Sequence, residues 1–338
     1  MIKFYANYMT PMITVVMSTY KEPEEWLRQS IESILGQSYG DFEYLIVNDC
    51  PEREENRRIL NEYAALDSRI CVLENDRNRG LIYSLNRGLE AAQGKYVARM
   101  DADDISLPSR FEKQVQYLEE HPECIVCGTQ QLDFSGRRVK DWLISLLPHH
   151  LCTEDESCKQ MLLSASCFAH PTVMMRRSTL LQNDLRYNPD FKHSEDYRLW
   201  VDLSQKGAFH NIPQRLHRYR LSPVQITKSA ETRATLQQNS IRCRRAYFAL
   251  FYGEDSPVVK LMHESPFDVE QIKSLKRIVG NRGELRWLLL DAYRSLRNYN
   301  AQAFLYFLLS GDVFQFSLVD VRAIVKTFFS PSYRQPLV

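Results

Sequence analysis

Short apolar segments alternate with helical patterns throughout the N-terminal part of the sequence. The apolar segments are residues 13–17, 42–47, 70–73 and 95–98, and patterns with a helical period occupy residues 23–35, 54–66, 81–92 and 106–120. A strand–helix rhythm of this kind forms a mostly parallel sheet with right-handed crossovers. The sequence therefore predicts an α/β fold in which a doubly wound, Rossmann-like sheet is flanked by helices.

The chain has 338 residues, which is more than one small domain usually contains. We expect an α/β domain over residues 1–228 and a helical C-terminal region over residues 229–338. Helical patterns in that region occupy residues 230–252, 268–279, 282–296 and 301–309. Its aromatic residues, with Arg322 and Lys326, favour either a helical cap on the first domain or an amphipathic surface that faces a membrane. These aromatic residues are Phe304, Tyr306, Phe307, Phe314, Phe316, Phe328 and Phe329.

The composition excludes several classes of protein. A formal net charge of +1 provides no basic field, so we expect no nucleic-acid partner. The N-terminus lacks an apolar signal segment, and no apolar run reaches the roughly 18 residues of a membrane-spanning helix. The eight cysteines include one CxxC pair, Cys124 and Cys127, within an apolar run, which predicts buried, reduced thiols. We therefore expect a cytoplasmic protein.

Polar side chains follow each of the four predicted strands. In an open parallel sheet, ligands bind at the carboxyl ends of the strands, near the point where the strand order reverses. Because these ends share one edge, the side chains are expected to converge on one polar cleft. They are Ser18, Thr19, Tyr20, Lys21, Asn48, Asp49, Asn78, Arg79, Asp101, Asp103 and Asp104.

Asp101 and Asp103 form a D-x-D motif directly after the fourth strand. Two acids at positions i and i+2 of an irregular segment can both reach one ion or its water shell. Their carboxylate oxygens suit hard divalent cations such as Mg²⁺ or Mn²⁺. Such a cation can bridge a diphosphate and neutralise the charge of a leaving group. An isolated D-x-D is also typical of a solvated acidic turn, and the residues alone leave both interpretations open.

Three further acids have more than one interpretation. Asp49 is a helix cap, a turn residue or an acceptor for the edge of a nucleobase on which Tyr20 stacks. Glu195 and Asp196 precede a predicted helix at residues 196–205. An acid at that position either interacts with the helix dipole or serves as a general base near a sugar.

The basic candidates are less specific. Arg218 and Arg220 alternate with a tyrosine, so both cations face one side of an extended segment and either contact phosphate or are solvated. His170 is one of eight histidines without metal-ligand spacing, and a core or surface role is the more frequent alternative for each of them.

Eight segments of the chain follow, in order, the motifs of a known family. They extend from residue 10 to residue 227, and although each is short, the complete series is specific. The chain resembles the family 2 glycosyltransferases, a group with the GT-A fold. The matching segments are ITVVMSTY at 13–20, SILGQS at 33–38, DFEYLIVND at 41–49, NRG at 78–80, SLNRGL at 84–89, GKYVARMDADD at 94–104, LPSRF at 107–111 and SEDYRLW at 194–200.

The resemblance implies a role for each site residue. Nucleotide binding is implied for Ser18, Thr19, Tyr20, Asp49, Arg79 and Asp101. Asp103, together with Asp101, would bind Mn²⁺ or Mg²⁺, and Asp196 would be the catalytic base. Further contacts with donor or acceptor are implied for Asp104, Glu195, His170 and Arg220. Ser222 stands where some members carry a histidine, so no metal ligand is expected there.

The resemblance also implies the reaction. Such a member would be an inverting, metal-dependent enzyme that moves one sugar from a nucleotide-sugar, expected to be a UDP-sugar, to an acceptor hydroxyl. The chain is similar to bacterial enzymes of O-antigen, capsule and lipopolysaccharide assembly. This similarity implies a glycan or lipid-linked acceptor and peripheral contact with the inner face of the cytoplasmic membrane. The sequence lacks the Gln-x-x-Arg-Trp motif of processive members, so addition of a single sugar is expected.

Two other functions fit part of the sequence. A nucleotidyltransferase would need a glycine-rich phosphate loop after the first strand, and residues 18–23 contain no glycine. A non-catalytic scaffold that binds sugar nucleotides or glycans would not need the acids at positions 101, 103 and 196. The presence of all three acids favours the enzyme.

Overall fold

The computed structural model describes residues 10–136, 141, 151–222, 229–257, 259–260, 269–279, 289, 306–310, 312 and 321. The chain divides into two compact units. The first comprises Met1–Met161 and Ser166–Ser240, and the second comprises Leu162–Ala165 and Ile241–Val338. All the site residues predicted from the sequence belong to the first unit.

One sheet of eight strands organises the first unit. The strands are β1 (Ile13–Thr19), β2 (Phe42–Asn48), β3 (Ile70–Glu74), β4 (Tyr96–Asp101), β5 (Ile105–Ser106), β6 (Cys124–Phe134), β7 (Met174–Arg176) and β8 (Ala208–Arg220). Their order is β3-β2-β1-β4-β7-β6-β8-β5. Strands β3, β2, β1 and β4 are parallel to one another. Strand β7 is antiparallel to both β4 and β6, whereas β8 is parallel to β6 and antiparallel to β5.

Helices connect and flank these strands. In the described part of the chain they are α1 (Glu24–Leu35), α2 (Glu54–Leu66), α3 (Leu81–Ala91), α4 (Arg110–Glu120), α5 (Asp155–Met161), α6 (Arg177–Gln182), α7 (Glu195–Leu203), α8 (Ala230–Tyr252) and α9 (Val269–Val279). Because α1, α2 and α3 each join two parallel strands, the β1–β4 half has the doubly wound pattern that the sequence predicts.

Strand β1 forms the centre of the hydrophobic core. Every residue from Ile13 to Met17 is 2% exposed or less, because helices cover both faces of the sheet here. Helix α1 contributes Leu27, Ile31 and Ile34, which are spaced three and four residues apart and are fully buried. Each such side chain stabilises the fold by roughly 1.5–3 kcal/mol. The strand ends that carry the polar loops therefore project from a rigid core.

Helix α3 lies unusually close to β1. A methyl group added at Gly88 would be 2.4 Å from Cγ1 of Val16, which is closer than real atoms approach. Glycine is therefore required at this position by packing, although it lowers helix propensity. The close approach fixes the C-terminal half of α3 against the central strand.

The four predicted strands are confirmed as β1 to β4, but the predicted start of the next helix is wrong and one long strand was missed. The predicted helix over residues 106–120 begins only at Arg110, because Ser106 belongs to β5 and pairs with His217 of β8. Strand β8 itself, with 13 residues, was not predicted. Its polar residues Asn211 and His217 are fully buried with hydrogen-bond partners, so the strand lacks an apolar pattern.

The C-terminal helices α8 and α9 confirm the helical patterns at residues 230–252 and 268–279. Phe307 is fully buried rather than available to a membrane. Among the other aromatic residues expected on an amphipathic surface only Tyr306 is described, and Phe304, Phe314, Phe316, Phe328 and Phe329 lie outside the described residues, as do Arg322 and Lys326. None of the described helices combines the length and apolar character that crossing a membrane requires.

Candidate active site

The carboxyl ends of β1, β2 and β4 lie side by side, as the sequence predicts. Thr19 is in register with Asn48 of β2, and Ser18 is in register with Val47 of β2 and with Asp101 of β4. The loops that follow these three strands therefore begin at one edge of the sheet. A ligand at this edge can contact all three loops.

The loop after β1 is held by its own acid and by α2. Glu22 accepts hydrogen bonds from the hydroxyl of Thr19 (2.7 Å) and from the backbone N–H of Tyr20 (2.8 Å). The side-chain amide of Asn56 donates to the carbonyl of Tyr20 (2.7 Å). With its backbone fixed in this way, the ring of Tyr20 remains 36% exposed, and the ammonium of Lys21 lies 4.9 Å from the ring centre. A base can stack on a ring presented like this.

Asp49 organises the loop that leads into α3. Its carboxylate accepts hydrogen bonds from the side-chain amide of Asn75 (2.6 Å) and from the backbone N–H groups of Arg79 and Gly80 (both 2.8 Å). Gly80 has a φ of 86°, a left-handed conformation that glycine adopts without strain. Asp49 therefore shapes the rim of the cleft, which is the turn-fixing role that the sequence offered beside direct contact with a base.

The side chain of Arg79 is already engaged. Its guanidinium donates two hydrogen bonds to the carboxylate of Asp76 (2.8 and 2.9 Å) and lies 5.3 Å from the ring centre of Tyr83. Arg79 is partly exposed, so a phosphate contact would compete with Asp76 for the same donors.

Asp101, Asp103 and Asp104 form one carboxylate cluster directly after β4. One oxygen from each of the three side chains lies within 4.8 Å of the other two. Burial, together with the negative charges of Asp101 and Asp104, raises the pKa of Asp103 to about 8. Like charges held this close repel one another, and a divalent cation would relieve the repulsion. Among the described residues, no other group of three acids, histidines or cysteines is this compact.

The three acids do not have the same surroundings. Asp104 is fully buried; one of its oxygens accepts a hydrogen bond from the backbone N–H of Arg220, and the other is hydrogen-bonded to Nε2 of His217, each at 2.8 Å. Asp104 therefore ties the acidic loop to β8. Asp103 and Asp101 keep partly exposed side chains, and Asp101 forms an ion pair with the guanidinium of Arg99.

Arg220 supports the acidic loop from below. Its guanidinium donates to the backbone carbonyl of Asp103 (2.6 Å) and to the side-chain oxygen of Gln29 (2.6 Å). The same group lies 4.9 Å from the ring centre of Trp26 and 4.5 Å from that of Phe134. These contacts hold the guanidinium of Arg220 against the backbone of the acidic loop.

Glu195 and Asp196 stand at the start of α7. Burial and the neighbouring charge of Asp196 raise the pKa of Glu195 to about 7. Burial also raises the pKa of Asp196, while a hydrogen bond from the backbone N–H of Tyr197 opposes the rise. The hydroxyl of Ser166 lies 3.4 Å from one oxygen of Asp196. Burial and mutual repulsion therefore make it unfavourable for the carboxyl groups of Glu195 and Asp196 to be ionised at the same time.

Arg99 interacts electrostatically with both acid groups, and this role was not predicted from the sequence. Its side chain is buried in β4, pairs with Asp101, and its charge also opposes the burial-raised pKa values of Glu195 and Asp196. The available signal was a lone cation within the otherwise apolar run of β4, at residues 96–100. A buried guanidinium needs paired charges around it, so its position indicated a nearby cluster of acids.

Tyr187 and His170 complete the same buried cluster. Burial raises the pKa of Tyr187, and the negative charges of Asp196, Glu195 and Asp101 raise it further. The hydroxyl of Tyr187 lies 2.9 Å from Nε2 of His170, whose own pKa burial holds well below its usual range. His170 is therefore neutral, and Tyr187 interacts electrostatically with residues of both acid groups.

The sequence of the first half of the chain matches a known family. A sequence model described as "Glycosyl transferase family 2" matches residues 14–183, which is half of the chain. The chain belongs to glycosyl transferase family 2. The matched residues include β1 to β4 and the acidic loop of this family 2 glycosyltransferase, so the resemblance in the sequence motifs is confirmed.

Two bacterial relatives have glycosyltransferase names. An "Uncharacterized glycosyltransferase" of Haemophilus influenzae is 29% identical over 333 residues, which cover 94% of this chain and 96% of the relative. The "O-antigen biosynthesis glycosyltransferase WbnJ" of Escherichia coli is 31% identical over 223 residues, 65% of this chain and 83% of WbnJ. The similarity to the Haemophilus protein thus extends over the C-terminal region as well.

A solved structure has the same fold. The structure of Staphylococcus aureus TarS, residues 1–349, in complex with UDP-GlcNAc superposes with a TM-score of 0.57 at 15% identity. The match covers 94% of this chain and 91% of that one. The predicted GT-A fold, a mostly parallel sheet flanked by helices, is confirmed.

Proposed function

We propose that this family 2 glycosyltransferase transfers one sugar from a nucleotide-sugar, expected to be a UDP-sugar, to an acceptor hydroxyl, with inversion and with the help of a divalent cation. One observation carries the proposal: Arg99 pairs with Asp101, and its charge also opposes the raised pKa of Asp196, which supports a single site shared by the acidic loop and the acid pair of α7. Single displacement requires charge neutralisation at the leaving diphosphate and a base for the hydroxyl. The site offers one acid group for each task.

Asp103 and Asp101 would hold the cation, either Mn²⁺ or Mg²⁺. Their oxygens lie close enough to bind one ion, and oxygen ligands are those that hard divalent cations prefer. The contacts of Asp104 with His217 and Arg220 occupy both of its oxygens, which favours a supporting role for Asp104. A bound cation would neutralise negative charge on the diphosphate as it leaves.

Asp196 would accept the proton of the acceptor hydroxyl. In this step the acceptor oxygen forms a bond to the anomeric carbon, and the bond from that carbon to the diphosphate oxygen breaks. Burial raises the pKa of Asp196, which makes it a stronger base than an exposed aspartate, and the charge of Arg99 limits that rise. Glu195, whose pKa is about 7, would be only partly ionised near neutral pH, so the pair would carry less than two negative charges.

The nucleotide would lie at the edge formed by the loops after β1, β2 and β3. Tyr20 would stack on the base, and Ser18, Thr19 and the loop fixed by Asp49 would surround it. Arg79 would reach a phosphate only by exchanging its bonds with Asp76. The likeness to TarS, whose structure contains UDP-GlcNAc, supports a UDP-sugar.

The acceptor would be a growing glycan, free or linked to a lipid. The name of the relative WbnJ, which refers to O-antigen biosynthesis, supports this class of acceptor. We assign catalysis to residues 1–228 and acceptor or membrane contact to residues 229–338, at the cytoplasmic face of the membrane. The described part of the C-terminal region carries exposed apolar side chains, including Leu250 and Phe251, that suit such contact.

The decisive experiment combines a donor screen with one variant. Wild-type protein is incubated with Mn²⁺, UDP-, GDP- and dTDP-sugars, and lipid-linked disaccharide mimics, and the release of nucleotide is measured. With the donor found, Asp196→Asn should lower the transfer rate by about 10²–10⁴-fold, the usual contribution of a general base. Donor binding, measured by calorimetry, should stay within about two-fold of wild type because the change does not touch the nucleotide edge.

Asp184→Asn is the matched control. It makes the same chemical change at a highly exposed position with a left-handed backbone, which asparagine tolerates. Transfer by Asp196→Asn at the rate of this control would contradict the assignment of the base. Donor binding without transfer to any acceptor would favour the non-catalytic scaffold.

A further inference from the structure

The turn in front of the acid pair contains a strained residue. His193 has a φ of 67°, one of two left-handed residues other than glycine among the described positions. Left-handed backbone is unfavourable for residues with a side chain and persists only where the surroundings hold it. Strain of this kind directly before Glu195 and Asp196 raises the question of which contacts hold the turn.

Helix α8 supplies those contacts within the same compact unit. The side-chain amide of Asn239, only 6% exposed, donates a 2.9 Å hydrogen bond to the carbonyl of Lys192. The hydroxyl of Ser194 lies 3.4 Å from both the carbonyl of Leu236 and the hydroxyl of Ser240. Asn239 is thus bonded to the residue directly before the left-handed one.

The conformation of this turn reaches the acids through the backbone. Ser194 occupies the cap position of α7 but makes no side-chain cap bond, because its hydroxyl faces α8 instead. Burial raises the pKa of Glu195, and the nearby backbone N–H groups of Glu195 and His193 oppose the rise. A change in the φ of His193 would move its N–H relative to Glu195 and rotate the first turn of α7.

We propose that Asn239 is a positioning residue, which sets the orientation of Glu195 and Asp196 by holding the left-handed turn at His193. The inference rests on the proposed role of Asp196 as the base. It assigns a defined task in catalysis to the first half of α8, beyond the family motifs. Among the described residues, Asn239 reaches the turn through its hydrogen bond to the backbone carbonyl of Lys192.

The test compares Asn239→Ala with Gln238→Ala, which removes an exposed carboxamide from the next position of the same helix. Asn239→Ala should lower kcat about ten-fold, because small displacements of a catalytic group reduce rates strongly. The KM for the donor should change by less than about two-fold, and the pH profile of kcat should shift because the environment of the acids changes. Gln238→Ala should match wild type in all three. Equal kcat for both variants would overturn the proposal.

A second substitution separates positioning from general damage. Glycine adopts left-handed backbone without strain, so His193→Gly should keep the turn in place when Asn239 is absent. The double variant should therefore regain most of the kcat that Asn239→Ala loses. If Asn239→Ala does not fold, His193→Val, which disfavours the same turn, should show the same loss of kcat. A double variant no faster than Asn239→Ala, or a fully active His193→Val, would refute the mechanism.

Hydrogen exchange distinguishes failure of this inference from failure of the proposed function. The exchange rates of the backbone amides of residues 193–197 require no substrate. They should rise in Asn239→Ala, stay unchanged in Gln238→Ala, and return towards wild type in the double variant. If the exchange rates change as predicted but no sugar transfer is found, the proposed function is refuted and the role of Asn239 in the turn remains. Unaltered exchange in Asn239→Ala would refute the inference alone.

Discussion

Asp103 and Asp104 are adjacent and chemically identical, yet their surroundings give them opposite roles. Asp104 is fully buried and forms two hydrogen bonds with β8, whereas Asp103 keeps a partly exposed carboxylate. The sequence identified both as members of one acidic motif. It could not separate them, because the partners of Asp104, His217 and Arg220, are distant in the chain. The same reason explains why the interaction of Arg99 with Glu195 and Asp196 was not predicted.

This difference predicts different consequences for two alanine variants. Asp104→Ala leaves Nε2 of His217 and the N–H of Arg220 without this hydrogen-bond partner, and should lower the free energy of unfolding by about 2 kcal/mol. Asp103→Ala removes a repelled carboxylate, so stability should not fall, but affinity for Mn²⁺ should drop at least about ten-fold. Urea denaturation and Mn²⁺ titration by electron paramagnetic resonance measure the two effects. An Asp104→Ala variant that is fully stable but does not bind Mn²⁺ would reverse the two roles.

Among the elements, the sequence was most informative where a strand is a short apolar run between helical patterns. Strands β1 to β4 are apolar runs that end in polar residues, so their position, direction and shared edge could be predicted. Strand β8 could not, because its buried polar residues are satisfied by partners in other elements, such as the carbonyl of Cys167 for Asn211. The start of α4 was misplaced because Ser106 pairs with β8.

The contact between α3 and β1 yields a prediction of opposite sign from helix propensity. Propensity alone predicts that Gly88→Ala stabilises the helix by up to about 1 kcal/mol. Because the added methyl would be 2.4 Å from Cγ1 of Val16, we expect a loss of about 1–3 kcal/mol in the free energy of unfolding instead. Chemical denaturation measures the change.

Val16→Ala provides the matched test of this contact. It removes the methyl group that clashes, so the double variant Gly88→Ala/Val16→Ala should be more stable than the sum of the single effects allows. Additive effects would indicate that the two positions do not compete for the same space.

At the scale of the whole molecule, the raised acid pKa values determine how stability depends on pH. Asp103, with a pKa of about 8, and Glu195, with a pKa of about 7, hold protons in the folded protein that the unfolded chain has already lost. The free energy of unfolding must therefore fall as pH rises towards 8. His170 and His217, whose pKa values burial lowers, act in the opposite direction only below about pH 6.5.

Between about pH 6.5 and 8.5 the acids should therefore dominate, and without metal the protein should lose about 2 kcal/mol of stability. Mn²⁺ should restore stability, and more strongly at the higher pH, because it binds the ionised carboxylates of the folded state. Thermal melting at both pH values, with and without Mn²⁺, measures these effects. Asp103→Ala, as control, should show a weaker pH dependence and a smaller effect of Mn²⁺. Stability that rises from pH 6.5 to 8.5 without metal would contradict the described cluster.

We expect the acidic loop and the acid pair of α7 to act on the same donor molecule. A crystal structure of the Asp196→Asn variant with Mn²⁺ and the UDP-sugar found in the screen is the sharpest test, because this variant should bind the donor without consuming it. Mn²⁺ should be bound to Asp103 and to the diphosphate, and residue 196 should face the anomeric carbon from the side opposite the diphosphate. A metal bound away from Asp103, or residue 196 on the same side as the diphosphate, would rule out this joint role.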